Sequence, residues 1–185
     1  MERSRPRGRG RSIGRVTDPR PILFLDVDGP LNPWRAPFGR APAGYTTLPM
    51  RPTGWEEPHP PLPVRLAPRH GPLLLALGYR LVWASTWGPE ANTWIAPVLG
   101  LPALPYVDWP RPPHRALDGV HWKTRRLVAV ADGRPFAWVD DEIAAPDRSW
   151  IAGHHEGRVL LRCIDAAVGL AGDDFAVLRG WGRGR

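Results

Sequence analysis

Residues 20–32, RPILFLDVDGPLN, constrain the chain more than any other stretch. An apolar run stops at Asp26, and a second carboxylate, Asp28, follows two places later. Neighbouring carboxylates repel and raise each other's pKa, so a strand seldom ends this way with nothing cationic between them. A divalent cation readily explains the pair. The run itself is short and apolar on both faces, as central strands of a parallel sheet are. Both readings lead to an α/β layer fold with chemistry at a strand end.

The remaining pattern agrees with that frame. "YRLVWAST" (79–86), "PFAWVDDE" (135–142) and "RVLLRCI" (158–164) read as further strands, with "LPYVDW" (104–109) a short one. Between them the spacing predicts helices in 65–78, stopped by Gly78, in 88–100, opened by Pro89 and Glu90, and in 118–133, closed by Gly133. A helix capped by Asp147 follows, and a last one spans 172–181. Strands alternating with helices give a doubly wound, Rossmann-like parallel sheet. Residues 33–64 are dense in proline, which defeats helix interior and sheet ladder alike, so an irregular loop insertion is expected there.

Bulk properties narrow the class. The chain has 185 residues, enough for one domain with a proper core. It contains no apolar run of the length that spans a bilayer, and its N-terminus lacks the apolar core of a secretory signal. Cys163 is the only cysteine, which excludes an internal disulfide framework and fits a reducing, cytoplasmic setting. The formal charge is +7, much of it in an Arg/Gly-rich arm (1–19) and a basic tail (183–185). Such ends read as disordered, or as a means of holding nucleic acid. The folded unit is expected over 20–182.

In open α/β sheets, ligands sit beyond the carboxyl ends of the strands. That edge collects Asp26 and Asp28 after the first strand, Ser85 and Thr86 after the second, and Asp140 and Asp141 after the strand at 135–140. Lys123 falls near the start of the helix before that strand, and it is the only lysine among 25 basic residues. An ammonium kept at one place, where guanidinium serves everywhere else, points to a requirement for a compact charge. Several carboxylates form a hard oxygen site suited to magnesium. A nucleophile, a proton donor, a hydroxyl and a cation suit phosphoryl transfer.

"FLDVDGPLN", "LVWASTW", "HWKT" and "AWVDDE" together resemble, in order, the four motifs of the haloacid dehalogenase (HAD) superfamily. The resemblance covers about 21–145 and is nearest to the small HAD domains of bacterial multifunctional RNA-repair proteins and their stand-alone relatives. It implies a magnesium-dependent phosphohydrolase with no or minimal cap, acting on a phosphorylated substrate such as a nucleotide or a nucleic-acid end. Asp26 would be the nucleophile that becomes an aspartyl-phosphate, and Asp28 the acid/base. Ser85, with Thr86 as the alternative, would hold the phosphoryl oxygens, and Lys123 would balance their charge. Asp26, Asp28 (through its main-chain carbonyl), Asp140 and Asp141 would hold the metal. Pro30 departs from the family's usual Thr or Val, and the last motif is the compact DD form. The rival expectation is a nucleic-acid-binding or regulatory module on the same scaffold, with little turnover.

Of the ten tryptophans, Trp83, Trp94 and Trp138 fall in apolar patterns and are expected in the core. Trp34 and Trp87 follow the candidate loops and are expected to line the mouth of the site as substrate-binding residues. Cys163 is expected to be buried. The histidines are assigned no role.

Overall fold

The computed structural model describes residues 18–37, 39–109 and 118–184. Four strands form an all-parallel sheet: β1 (Ile22–Leu25), β4 (Arg80–Trp83), β5 (Phe136–Asp140) and β6 (Val159–Cys163), in the spatial order β4-β1-β5-β6. β1 is paired on both sides, Phe24 lying opposite Val82 and Trp138. Its four residues are all buried, because alternate side chains feed two cores. Leu23 and Leu25 join Leu81, Trp83, Ala137 and Val139 on one face. Ile22 and Phe24 join Val82, Phe136 and Trp138 on the other. The period of two thus explains why an unbroken apolar run forms a central strand.

Helices cover both faces. The first packs against α1 (His70–Leu75), α2 (Glu90–Trp94), α3 (Ala96–Leu99) and α6 (Gly172–Arg183). The second packs against α4 (Thr124–Ala131) and α5 (Ala145–His154). The architecture is α/β and compatible with a Rossmann-like fold. From β1 the chain moves to β4 on one side, and its next strand, β5, lies on the other side of β1. The strand order therefore switches at β1, and a crevice opens beyond its carboxyl end.

Several expectations are corrected. The Pro-rich segment 33–64 is not irregular: β2 (Thr46–Met50) and β3 (Leu62–Leu66) pair as an antiparallel ribbon. Pro49 stands opposite Pro63. Two prolines can face each other only on a rung that exchanges no N–H bonds, so the flanking rungs carry the ladder. Met50, Val64 and Leu66 anchor the ribbon in the first core. The helix expected over 65–78 is short, because β3 occupies its first residues. That expected over 88–100 is two helices meeting at Ile95, since Pro97 has no N–H to continue the ladder.

The short strand expected at 104–109 is a single bridge, Trp83 to Tyr106, on the outer edge of β4. The helix expected over 118–133 begins only at Thr124. Asp147 is not the cap of α5. It is the third helical residue, and its side chain reaches back to the capping N–H of Ala144. Trp83 and Trp138 are core residues, but Trp94 is only partly buried. Cys163 is exposed, because it ends the edge strand β6. Helix α6 runs to Arg183 and takes in the start of the expected basic tail. Most of the expected basic arm, and His114, lie outside the described residues. Among the described residues no helix is long and apolar enough to cross a membrane.

Candidate active site

Asp26 follows β1 directly and is 6% exposed; Asp140 ends β5 and is fully buried. Lys123 enters between them from the residue before α4. Its Nζ lies 2.7 Å from Asp26 Oδ2 and 2.7 Å from Asp140 Oδ2. Asp140 also accepts from Trp138 Nε1 at 3.1 Å and from the Glu142 N–H at 3.0 Å. The free oxygen of Asp26 accepts from the Val27 N–H at 2.8 Å. This arrangement fixes two carboxylates, one just after β1 and one at the end of β5, around one ammonium.

Asp141 completes the acid group: one oxygen each from Asp26, Asp140 and Asp141 lies within 4.8 Å of the others. Gly29 makes this approach feasible. Its φ of +91° suits only glycine without strain, and a Cβ there would stand 2.5 Å from Asp141 Cγ. Burial pushes the Asp26 carboxyl above its ordinary range; Lys123 opposes this, and Asp140 and Asp28 reinforce it. Asp141 is also raised, by burial first and by the charge of Asp140 second. Burial alone would lower the Lys123 ammonium, but the two carboxylates beside it hold it above its ordinary value. Three acids against one lysine are a site short of positive charge, and every donor is a hard oxygen. That set could hold a divalent metal ion.

Asp28 belongs to a different part of the site. Its two oxygens accept from Asn32 Nδ2 at 2.8 Å and Trp87 Nε1 at 2.9 Å, and its carboxylate is not among the three grouped acids. Asn32 in turn accepts the Arg65 N–H at 2.9 Å, which ties the Asp28 loop to β3.

A cavity of about 660 Å³ opens on these groups. Asp26, Asp28, Lys123 and Asp141 line it, as do Trp34 and Thr86. Ser85 does not line it. Ser85 is buried, with its Oγ 3.5 Å from the Trp87 N–H, so Thr86 is the better-placed hydroxyl. Trp87 is not at the mouth either, since its buried indole is committed to Asp28. Trp34, half exposed, hydrogen-bonds Asp141 at 3.3 Å.

Several members of the site are not apparent from the sequence. Trp122 and Glu142 line the cavity beside residues that were identified, and adjacency to Lys123 and Asp141 was the available signal. Arg65 had none, because its strand was not foreseen. Behind the site, fully buried Asp147 accepts from the His121 N–H (2.8 Å), Thr124 Oγ1 (2.6 Å) and the Ala144 N–H (2.9 Å). These bonds clamp the two residues that flank Lys123 at one and two places. His121 also pairs with Glu142 at 3.0 Å.

The fold and site together define an α/β protein with an acid–lysine centre at its strand-order switch. Comparison of the chain with protein-family models, with curated proteins and with solved structures gave no match.

Proposed function

We propose that the chain is a phosphohydrolase of the HAD type that works through an aspartyl-phosphate on Asp26. The observation that carries this reading is the Lys123 ammonium held between Asp26 and Asp140, with Asp141 alongside and Asp28 lining the same cavity. A purely structural ion pair would be closed over by apolar side chains. This one faces a cavity and leaves a surplus of carboxylates.

The steps follow from the chain's own groups. Asp26 attacks the phosphorus, its oxygen forming the new bond as the bond to the leaving oxygen breaks. Asp28 supplies the proton that the leaving oxygen needs. The same carboxylate then takes a proton from water, whose oxygen attacks the phosphorus, releases phosphate and restores Asp26. Lys123 offsets the negative charge gathered by Asp26 and the phosphoryl group, and Thr86 is placed to bond a phosphoryl oxygen. Asp26, Asp140 and Asp141, with the main-chain carbonyl of Asp28, would hold a magnesium ion, whose charge draws electron density from the phosphoryl oxygens. Beside the cavity stand the β2–β3 ribbon and the loop that carries Trp34 and Ala36, a small addition that supports a minimal cap.

The test is phosphate release from an aryl phosphate with and without magnesium, for the natural chain and Asp26→Asn. Magnesium-dependent release, abolished in the variant, is expected. Release that persists in Asp26→Asn, or none under any condition, would refute the reading.

A further inference from the structure

Arg65 carries a charge that the chemistry above does not use. It is 9% exposed and lines the same cavity from β3, an element that bears none of the candidate catalytic residues. Among the described residues its side chain bonds to protein through Nη1 alone, to the main-chain carbonyls of Pro33 (3.2 Å) and Trp34 (3.4 Å). Among the described residues no carboxylate lies within ion-pairing distance of it. The nearby acids are otherwise engaged: Asp28 with Asn32 and Trp87, Glu142 with His121.

A guanidinium cannot shed its proton, and burying one without a counter-ion is costly. The two carbonyls offset part of that cost and aim the group, leaving Nε and Nη2 free to donate. A planar pair of N–H groups on a fixed stem is the arrangement that binds a phosphate or carboxylate in bidentate fashion. Around it the wall is apolar: Leu62 and Pro63 precede it on β3, and Trp34 stands on the adjoining loop. Lys123 already faces the acid cluster, so a second cation on a separate wall calls for a second anion.

We propose that Arg65 is a specificity residue that binds a second oxyanion of the substrate, a phosphate ester or a carboxylate. An apolar or aromatic body lying against Trp34, Leu62 and Pro63 would separate it from the scissile phosphoryl group. This rests on the phosphohydrolase reading given above.

The experiment compares phenyl phosphate, carboxyphenyl phosphate and a nucleoside 3′,5′-bisphosphate as substrates for the natural chain, Arg65→Gln and Arg65→Lys. Gln keeps a polar amide at this position and removes the charge. The readout is the ratio of kcat/KM on each substrate with a second anionic group to that on phenyl phosphate, which cancels any general damage to the fold. In Arg65→Gln that ratio should fall roughly 10- to 100-fold, the worth of a charge-assisted hydrogen bond, mostly through KM, with partial recovery in Arg65→Lys. Whichever substrate shows the fall identifies the oxyanion. Ratios unchanged for both would overturn the proposal, as would a natural chain with no preference for either. If the natural chain hydrolyses none of the three, the phosphohydrolase reading fails instead. Calorimetric binding of the bisphosphate then decides on Arg65: weakening by Arg65→Gln of about tenfold or more supports it, and equal affinity overturns it.

Discussion

Asp147 should be worth more to this protein than its position outside the cavity implies. It is fully buried and accepts three hydrogen bonds, from two main-chain N–H groups and the Thr124 hydroxyl. Asp147→Ala leaves all three donors without their acceptor, at about 1–3 kcal/mol each. Water entering the vacated space satisfies part of that demand, so a total of roughly 4 kcal/mol is expected. For a domain of this size 1 kcal/mol shifts Tm by about 2–4 °C, giving a fall of about 8–16 °C. Asp147→Asn should cost less, about 2 kcal/mol, because one oxygen remains and the new amide confronts a single donor. Urea denaturation supplies the free energies, and a cycle with Thr124→Val isolates the 2.6 Å bond. Its coupling should be about 1–2 kcal/mol. Because the clamp sets where Lys123 stands, Asp147→Asn should also lower kcat more than it raises KM. A Tm within about 2 °C of the natural chain for Asp147→Ala, or strict additivity in the cycle, would refute the argument.

Asp26→Asn should abolish phosphate release with the fold intact by circular dichroism, whereas Asp28→Asn should slow release by roughly 10²–10⁴; a natural rate in either variant contradicts the role given to it. Magnesium should raise Tm by mass action on the native state, and Asp141→Asn should blunt that rise. Asp141 is the better probe than Asp140, whose oxygens also hold Trp138 and Glu142; an unchanged melting curve at millimolar magnesium would count against the acid cluster. His70, packed against Tyr45 and Phe175, is held down to about 4 by burial first and by Arg69 second. Below the unfolded value near 6.5 the unfolded chain therefore binds more protons, so stability should fall as pH drops from about 6.5 to about 4, by at most about 3 kcal/mol. His70→Phe should remove that part of the slope in denaturation curves measured at several pH values, and parallel profiles for the two proteins would show the assignment to be mistaken.

The sheet and the acid cluster were legible because each is written in contiguous residues. A four-residue apolar strand followed by carboxylates specifies both a buried position and a strand end. The lone lysine marked the third element that meets them. The ribbon at 46–66 was hidden because Pro49 and Pro63 carry a signal against pairing when read singly. Their compatibility is a property of register, which only the partner strand defines. Arg65 was lost with the ribbon. The sequence does not decide between Ser85 and Thr86, or keep Trp87 from the mouth, because which face a residue presents after a strand depends on the turn that follows. The clamp at Asp147 joins residues more than twenty positions apart in sequence, and a buried acid read locally looks like an ordinary helix cap.

Gly29 gives the acid cluster a control point outside itself. The turn after β1 and the turn after β5 touch where a methyl group would collide with Asp141, so the spacing of the three carboxylates is set partly by an atom that is missing. Gly29→Ala would act as a wedge, moving Asp141 away while leaving every candidate ligand chemically unchanged. Cation affinity, and with it any preference between a small and a larger ion, could thus be graded by steric bulk at one backbone position. An engineer seeking a weaker or a more discriminating centre would begin at that glycine and leave the acids alone.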